Sequence, residues 1–166
     1  DADSFDLSTD NVLTFKEAPD FETKSSYSIT LSLSDGEETV DKDINIVIIN
    51  VNDIAPEFTS EATFNAAENQ TAIGTVTATD ADDADGTINI VTFSVSGNEL
   101  AVTQDGILTF ISAPDYETKT SYTATVTASD GVNTTTQDIT VNVTNVNDVA
   151  PVFTSEATFS AAENQT

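Results

Sequence analysis

The chain is expected to be all-β: seven-stranded Greek-key β-sandwiches in tandem. Three observations predict this. Apolar and polar residues alternate with a period of two along several segments, turn residues punctuate those segments, and the whole pattern recurs at an offset of 95 residues.

The recurrence sets the domain boundaries. Ala55-Pro56-Glu57-Phe58 returns as Ala150-Pro151-Val152-Phe153, and 15 of 17 positions agree between 55–71 and 150–166. The same offset carries 5–54 onto 100–149 with 23 of 50 positions identical. A 95-residue period is the size of a small domain rather than a solenoid turn. The 166 residues therefore divide into the C-terminal part of a first repeat (1–54), a complete repeat (55–149) and the first strand of a third (150–166). With no initiator Met, no signal peptide and no basic start, the chain is expected to be a piece of a longer protein.

Within the complete repeat about seven strands are expected. The first two, near 59–67 and 73–79, supply Phe64 and Val76 to the core. Near 90–96, Val91, Phe93 and Val95 alternate with Thr92 and Ser94. Ser96-Gly97-Asn98 then turns the chain into 99–104, and Asp105-Gly106 turns it again into 106–110 with Leu108 and Phe110 inward. After Ala113-Pro114-Asp115, the strand at 119–129 alternates Tyr122, Ala124, Val126 and Ala128 with Thr and Ser. Asp130-Gly131 precedes the last strand, 136–147, where Val141 and Val143 face the core. No stretch has helical periodicity.

Composition narrows the function. Asp and Glu number 29 against four lysines, a formal charge of −25, and there is no Arg, His, Cys, Met or Trp. Disulfide frameworks, thiol chemistry, zinc fingers and His-dependent triads are excluded. Nucleic acid is excluded as a partner, because phosphate contacts need Lys and Arg. Such acidity can mean disorder, but 38% hydrophobic residues, rich in Val, Ile and Thr, argue for packed strands. No apolar run approaches a membrane span; the longest strong stretch is Ile46-Val47-Ile48-Ile49.

The acids are not scattered over strand faces, which carry Thr, Ser and Asn. Those that recur between repeats, Asp20/Asp115, Glu22/Glu117, Asp35/Asp130, Asp53/Asp148 and Glu68/Glu163, fall mostly at strand ends and connections. Carboxylates gathered with Asn and backbone carbonyls are the donor set of a hard cation such as Ca²⁺. Asp80-Ala81-Asp82-Asp83-Ala84-Asp85-Gly86 is the densest cluster, but it is not an EF-hand loop: its sixth position is Asp85 and its twelfth Val91, and no helices flank it.

Five motifs in order carry a resemblance over the whole chain: Ala67-Glu68-Asn69, Asp80-Ala81-Asp82, Asp115-Tyr116-Glu117, Ala128-Ser129-Asp130-Gly131, and the linker Asn145-Val146-Asn147-Asp148-Val149-Ala150-Pro151-Val152-Phe153. These resemble the motifs of cadherin repeats, Ig-like sandwiches whose junctions bind about three Ca²⁺ each. The resemblance implies that the first junction draws on Asp20, Glu22, Asn50, Asn52, Asp53, the carbonyl of Ile54, Asp80, Asp82 and Asp130. It implies Glu68, Asp115, Glu117, Asn145, Asn147 and Asp148 for the second, Asp35 for a preceding junction and Glu163 for a following one. The first junction's remaining family glutamate falls upstream of Asp1. With it, seven carboxylates would meet six positive charges, and without ions the linker at 50–56 should flex. Two departures stand out: Asn50 and Asn145 replace the family's first linker Asp, and Ile54 and Val149 replace its last linker Asn.

Other readings of the same residues are weaker. Thr75, Thr77 and Thr79, like Thr123, Thr125 and Thr127, could form an ice-binding row, but sandwich sheets twist. Asn69, Asn133, Asn142 and Asn164 begin glycosylation sequons. Asp115 and Glu117 could be a hydrolase pair, but no Trp, Arg or His is there to hold a sugar.

The chain is therefore expected to be a non-enzymatic, Ca²⁺-rigidified extender of an extracellular or cell-surface adhesin or filament, resembling the cadherin-like repeats of giant bacterial adhesins. Its partners are adjacent repeats and identical chains laterally or end to end. The alternatives are a carbohydrate-binding module and a repeat that drives homotypic filament assembly.

Overall fold

Period-two segments pair into antiparallel sheets, since each strand can bury only one face. A computed structural model describes residues 1–83 and 90–164. Asp85 and Gly86, the end of the dense acidic cluster, and Thr166, the end of the last sequon, lie outside the described residues.

After a 3₁₀ turn at Ala2–Ser4, the first repeat has two hairpins. β1 (Phe5–Leu7) pairs with β2 (Leu13–Phe15), and β3 (Ser26–Ser34) pairs with β4 (Thr39–Val47). They meet on an aromatic trio: Phe5 and Phe15 lie 4.5 Å apart, and Tyr27 packs edge-on to both. Phe5 and Ile29 are buried.

In the second repeat β5 (Glu57–Phe58), β6 (Thr63–Ala67), β7 (Ala72–Thr75), β8 (Ala78–Thr79), β9 (Thr92–Val95), β10 (Leu100–Val102), β11 (Ile107–Phe110), β12 (Ser121–Ser129) and β13 (Thr134–Thr144) build the sandwich. One sheet has the order β6-β13-β12-β9, the other β10-β11-β7, with β5 and β8 paired beside them. The fold class is as the sequence predicts. The strand expected at 59–67 begins only at Thr63, with the separate short strand β5 ahead of it at Glu57–Phe58, and that expected at 73–79 is two strands, β7 and β8. The physical reason is a change of partner. Thr59 and Ser60 donate to the Thr77 carbonyl, whereas Thr140 donates to Ala62, so the chain leaves β8 for β13 between them. β7 pairs with β11 and β8 with β5. The last strand begins at Thr134 and ends at Thr144 rather than at 136 and 147.

Val76, Leu108, Phe110, Val126, Val141 and Val143 are buried as expected, joined by Ala66, Leu100 and Ile139. Phe64, Phe93 and Tyr122 are only partly buried against that core. Phe64 and Phe93 sit on β6 and β9, the two edges of the four-stranded sheet, where one flank has no neighbouring strand. Gly106 has φ +87°, and a Cβ there would lie 2.2 Å from the Val76 carbonyl oxygen, which requires glycine.

The parallel β6–β13 pair positions the functional residues. Thr63 opposes Thr140 and Ala67 opposes Thr144. Glu68 therefore emerges beside the end of β13, at the second linker. Asp82 and Asp130 lie beside the first linker.

Residues 150–164 form no strand, and Phe153 and Phe159 are 95% and 79% exposed.

Candidate metal centres

The first candidate centre gathers carboxylates from three parts of the chain. Glu22 follows β2, Asp53 lies in the linker, and Asp82 lies beyond β8. Their oxygens all fall within 4.8 Å of one another. Asp82 is fully buried. Its Oδ2 accepts the backbone N–H groups of Asp53 (3.0 Å) and Ile54 (2.8 Å), and its carbonyl accepts Asn50 Nδ2 (2.7 Å). Asp80 Oδ1 accepts the Asp82 N–H at 2.9 Å, closing a short Asx turn.

The electrostatics follow from that crowding. Burial, then the charges of Asp130, Asp82 and Asp83, push the Asp80 carboxyl up from its ordinary pKa. Burial also raises Glu22, with further contributions from the Asp82 and Asp20 carboxyls. Asp20 is held low by the Thr23 hydroxyl (2.8 Å) and backbone N–H (3.2 Å). Burial raises Asp130, but the N–H groups of Val132 and Asn133 outweigh it and hold the carboxyl low. The lysine ion pairs among the described residues go to Asp6, Asp1 and Glu99, away from this crowd.

A hard cation fits this donor set. Asn50 Oδ1, Asp80 Oδ2 and Asp82 Oδ1 are buried without a hydrogen-bond partner. All three are oxygen acceptors, and a buried acceptor without a donor costs about 1–3 kcal/mol. Ca²⁺ accepts oxygens of these kinds, including amide and backbone carbonyls.

Seven of the nine residues expected at this junction, Asn50, Asn52, Asp53, Ile54, Asp80, Asp82 and Asp130, lie in one hydrogen-bonded network, because Asn52 Oδ1 and the Ile54 carbonyl both reach Asp130 through the side chain of Asn133. Glu22 joins it by proximity to Asp53 and Asp82, and Asp20 is hydrogen-bonded to Thr23. Sequence reasoning missed Asn133 in this role. Its counterpart 95 positions earlier is Glu38, so comparing repeats hides it.

The second centre groups Glu68, Asp115 and Glu117, again within 4.8 Å. Glu68 is 3% exposed; its Oε2 accepts the Tyr116 N–H and its Oε1 the Val146 N–H, each at 2.7 Å. Asp115 Oδ1 accepts the Glu117 N–H. Asn145 Nδ2 donates to Glu117 Oε1 at 3.0 Å, and Asn69 Nδ2 donates to Asp148 Oδ2 at 2.6 Å. Asn147 is exposed in the linker bend, and Glu163 is exposed in a turn, outside both groups. Asp35 closes the β3–β4 turn by accepting the N–H groups of Glu37 and Glu38, which hold its carboxyl low.

No protein-family model matches the chain. Human cadherin-23 is 32% identical over 151 residues, covering 86% of this chain and 4% of that protein. Mouse protocadherin Fat 4 is 34% identical over 142 residues, covering 81% of the chain and 3% of that protein. The chain thus spans only a few per cent of the length of these relatives. Among solved structures, the protocadherin gammaB7 EC3-6 cis-dimer matches with a TM-score of 0.75 and 26% identity, over 87% of this chain and 40% of that one. Chicken VE-cadherin EC1-2 matches with a TM-score of 0.67 and 25% identity, over 87% of this chain and 79% of that one.

Proposed function

We propose, from the homology of this chain to cadherin domains, that it is a calcium-rigidified extender segment of a large surface adhesin. That homology, to extracellular domains, places the segment outside the cell. The homologues are adhesion proteins and not enzymes, and no helix of the described residues is long and apolar enough to cross a membrane.

The observation that carries the proposal is the meeting of Glu22, Asp53 and Asp82. They come from the first repeat, the linker and the second repeat. A cation bound among them ties all three together, which is what stiffening a junction requires. Residues 1–54, 55–149 and 150–166 are the corresponding segments of successive repeats. The first junction would hold its ions with Asp20, Glu22, Asn50, Asn52, Asp53, Ile54, Asp80, Asp82 and Asp130. The second would use Glu68, Asp115, Glu117, Asn145, Asn147 and Asp148. About three ions per junction would offset most of the local charge. Extracellular modules of this kind work at Kd of ~10⁻⁴–10⁻³ M. High internal identity, strong acidity and absence of Cys support a parent of the bacterial giant-adhesin type.

A carbohydrate platform is less well supported, because the rings of Phe5, Phe15, Tyr27, Phe110 and Tyr122 pack on one another instead of forming an exposed stacking surface. Small-angle scattering during a calcium titration tests the extender reading. The maximum dimension should grow and become uniform with calcium and shorten in chelator; a profile indifferent to both would sink the proposal.

A further inference from the structure

The side-chain amide of Asn133 joins the linker to the second repeat. Its Nδ2 lies 2.9 Å from Asn52 Oδ1, 3.2 Å from the Ile54 carbonyl and 3.2 Å from Asp130 Oδ2. An amide nitrogen carries two protons, so three oxygens converging on it share them. Convergence of oxygens on one point is also what a bound cation would need.

The turn that presents Asn133 is built identically in both repeats. Asp130 Oδ1 accepts the Val132 and Asn133 N–H groups, just as Asp35 Oδ1 accepts those of Glu37 and Glu38. Gly131 and Gly36 share φ values of +95° and +97°. At the last position of this turn the first repeat offers the carboxylate of Glu38, an acceptor, and the second an amide donor. The same stretch of linker is tied down further by Asn50 on the Asp82 carbonyl and by Asp53 and Ile54 on Asp82 Oδ2.

We propose that Asn133 is an ion-independent latch. It holds residues 52–54 on the second repeat in the absence of calcium, and its amide occupies the point that a cation shared by Asn52, Ile54 and Asp130 must take. The latch weakens calcium binding at that point while keeping the linker ordered, and the ion-free bend moves to the first-repeat side of Asn50. The competition with calcium rests on the calcium reading above; the latch itself does not.

The experiment uses the full chain with Asn133→Ala, Asn133→Asp and the exposed control Asn98→Ala. Amide hydrogen exchange is measured in chelator at Asp53 and Ile54, with buried Val141 reporting that the fold is intact. In Asn133→Ala, exchange at Asp53 and Ile54 should quicken by about tenfold or more while Val141 and the control stay unchanged. Asn133→Asp should show the same quickening in chelator, reversed by calcium, and should bind calcium at least severalfold more tightly than the parent by calorimetry. Unchanged exchange in Asn133→Ala overturns the latch. Calcium binding by Asn133→Asp no tighter than the parent overturns the competition. A parent chain that takes up no calcium overturns the calcium reading and the competition with it, while the exchange in chelator still decides the latch.

Discussion

Glu68 accepts the backbone N–H of Val146 at 2.7 Å, although the two lie 78 positions apart, and so fixes the second linker to the end of β6. The other oxygen of the same carboxylate holds the Tyr116 N–H. Replacing Glu68 with Ala strands both donors. We expect a loss of about 2–4 kcal/mol in urea unfolding, and a smaller loss for Glu68→Gln, which keeps one acceptor.

Leu108 is fully buried and its neighbour Ile107 is 51% exposed. Leu108→Ala should cost about 2–5 kcal/mol, and Ile107→Ala should cost well under half of that. Equal losses would mean that β11 does not present Leu108 to the core.

Gly106→Ala should destabilise by more than about 2 kcal/mol, since φ +87° is unfavourable for Ala and the new methyl meets the Val76 carbonyl. Its counterpart, Asn11, also has positive φ (63°), so φ alone does not forbid a side chain. Gly106→Asn separates the two causes: it should remain strongly destabilised if the contact with Val76 dominates.

The raised carboxyls of Asp80 and Glu22 and the lowered ones of Asp20, Asp35 and Asp130 act in opposite directions on ion-free stability. A raised carboxyl takes up its proton more readily in the folded state. Its unfavourable contribution is present above the raised pKa and disappears as pH falls toward the ordinary value. A lowered carboxyl contributes stability above the ordinary value and loses it as pH falls through the lowered pKa. In chelator, Asp80→Asn should therefore melt above the parent at neutral pH and converge with it in acid. Asp130→Asn should melt below the parent at neutral pH and converge with it in acid. Thermal melts across about pH 3–7 check both signs.

Calcium at about 10 mM should stabilise the folded chain by about 1.4–2.7 kcal/mol per independent site, given Kd of ~10⁻⁴–10⁻³ M. Asp53→Asn should remove much of the gain at the first junction while barely disturbing the second repeat's core, because Asp53 is exposed. Calorimetric melts with and without calcium measure this directly.

Part of the first junction was legible because Glu22 and Asp53 recur 95 positions on as Glu117 and Asp148, whereas Asp82 has no counterpart at that offset among the 166 residues and was reached only through the family resemblance. The hydrogen bonds of the linker were not legible in the sequence: Asp82 holds Asp53 and Ile54, and Asn133 holds Asn52. A pattern of recurring acids registers charge, but it does not show that Asn50 and Asn133 face carbonyls and carboxylates as donors. Nor does it show that Asp82, a charged loop residue, is fully buried against two backbone N–H groups.

The alternation of residues 121–144 by itself determined β strands with one buried face, and the 95-residue offset determined a tandem array. Partner choice was decided only in three dimensions. Residues 55–71 and 150–166 agree at 15 of 17 positions. In the first, Thr63–Ala67 lies parallel to β13, burying Ala66 and the neighbouring Glu68. In the second, Phe159 and its neighbours are exposed and form no strand. Local sequence supplies the same preference in both, but a strand exists only where another strand takes up its backbone hydrogen bonds and another sheet covers its apolar face.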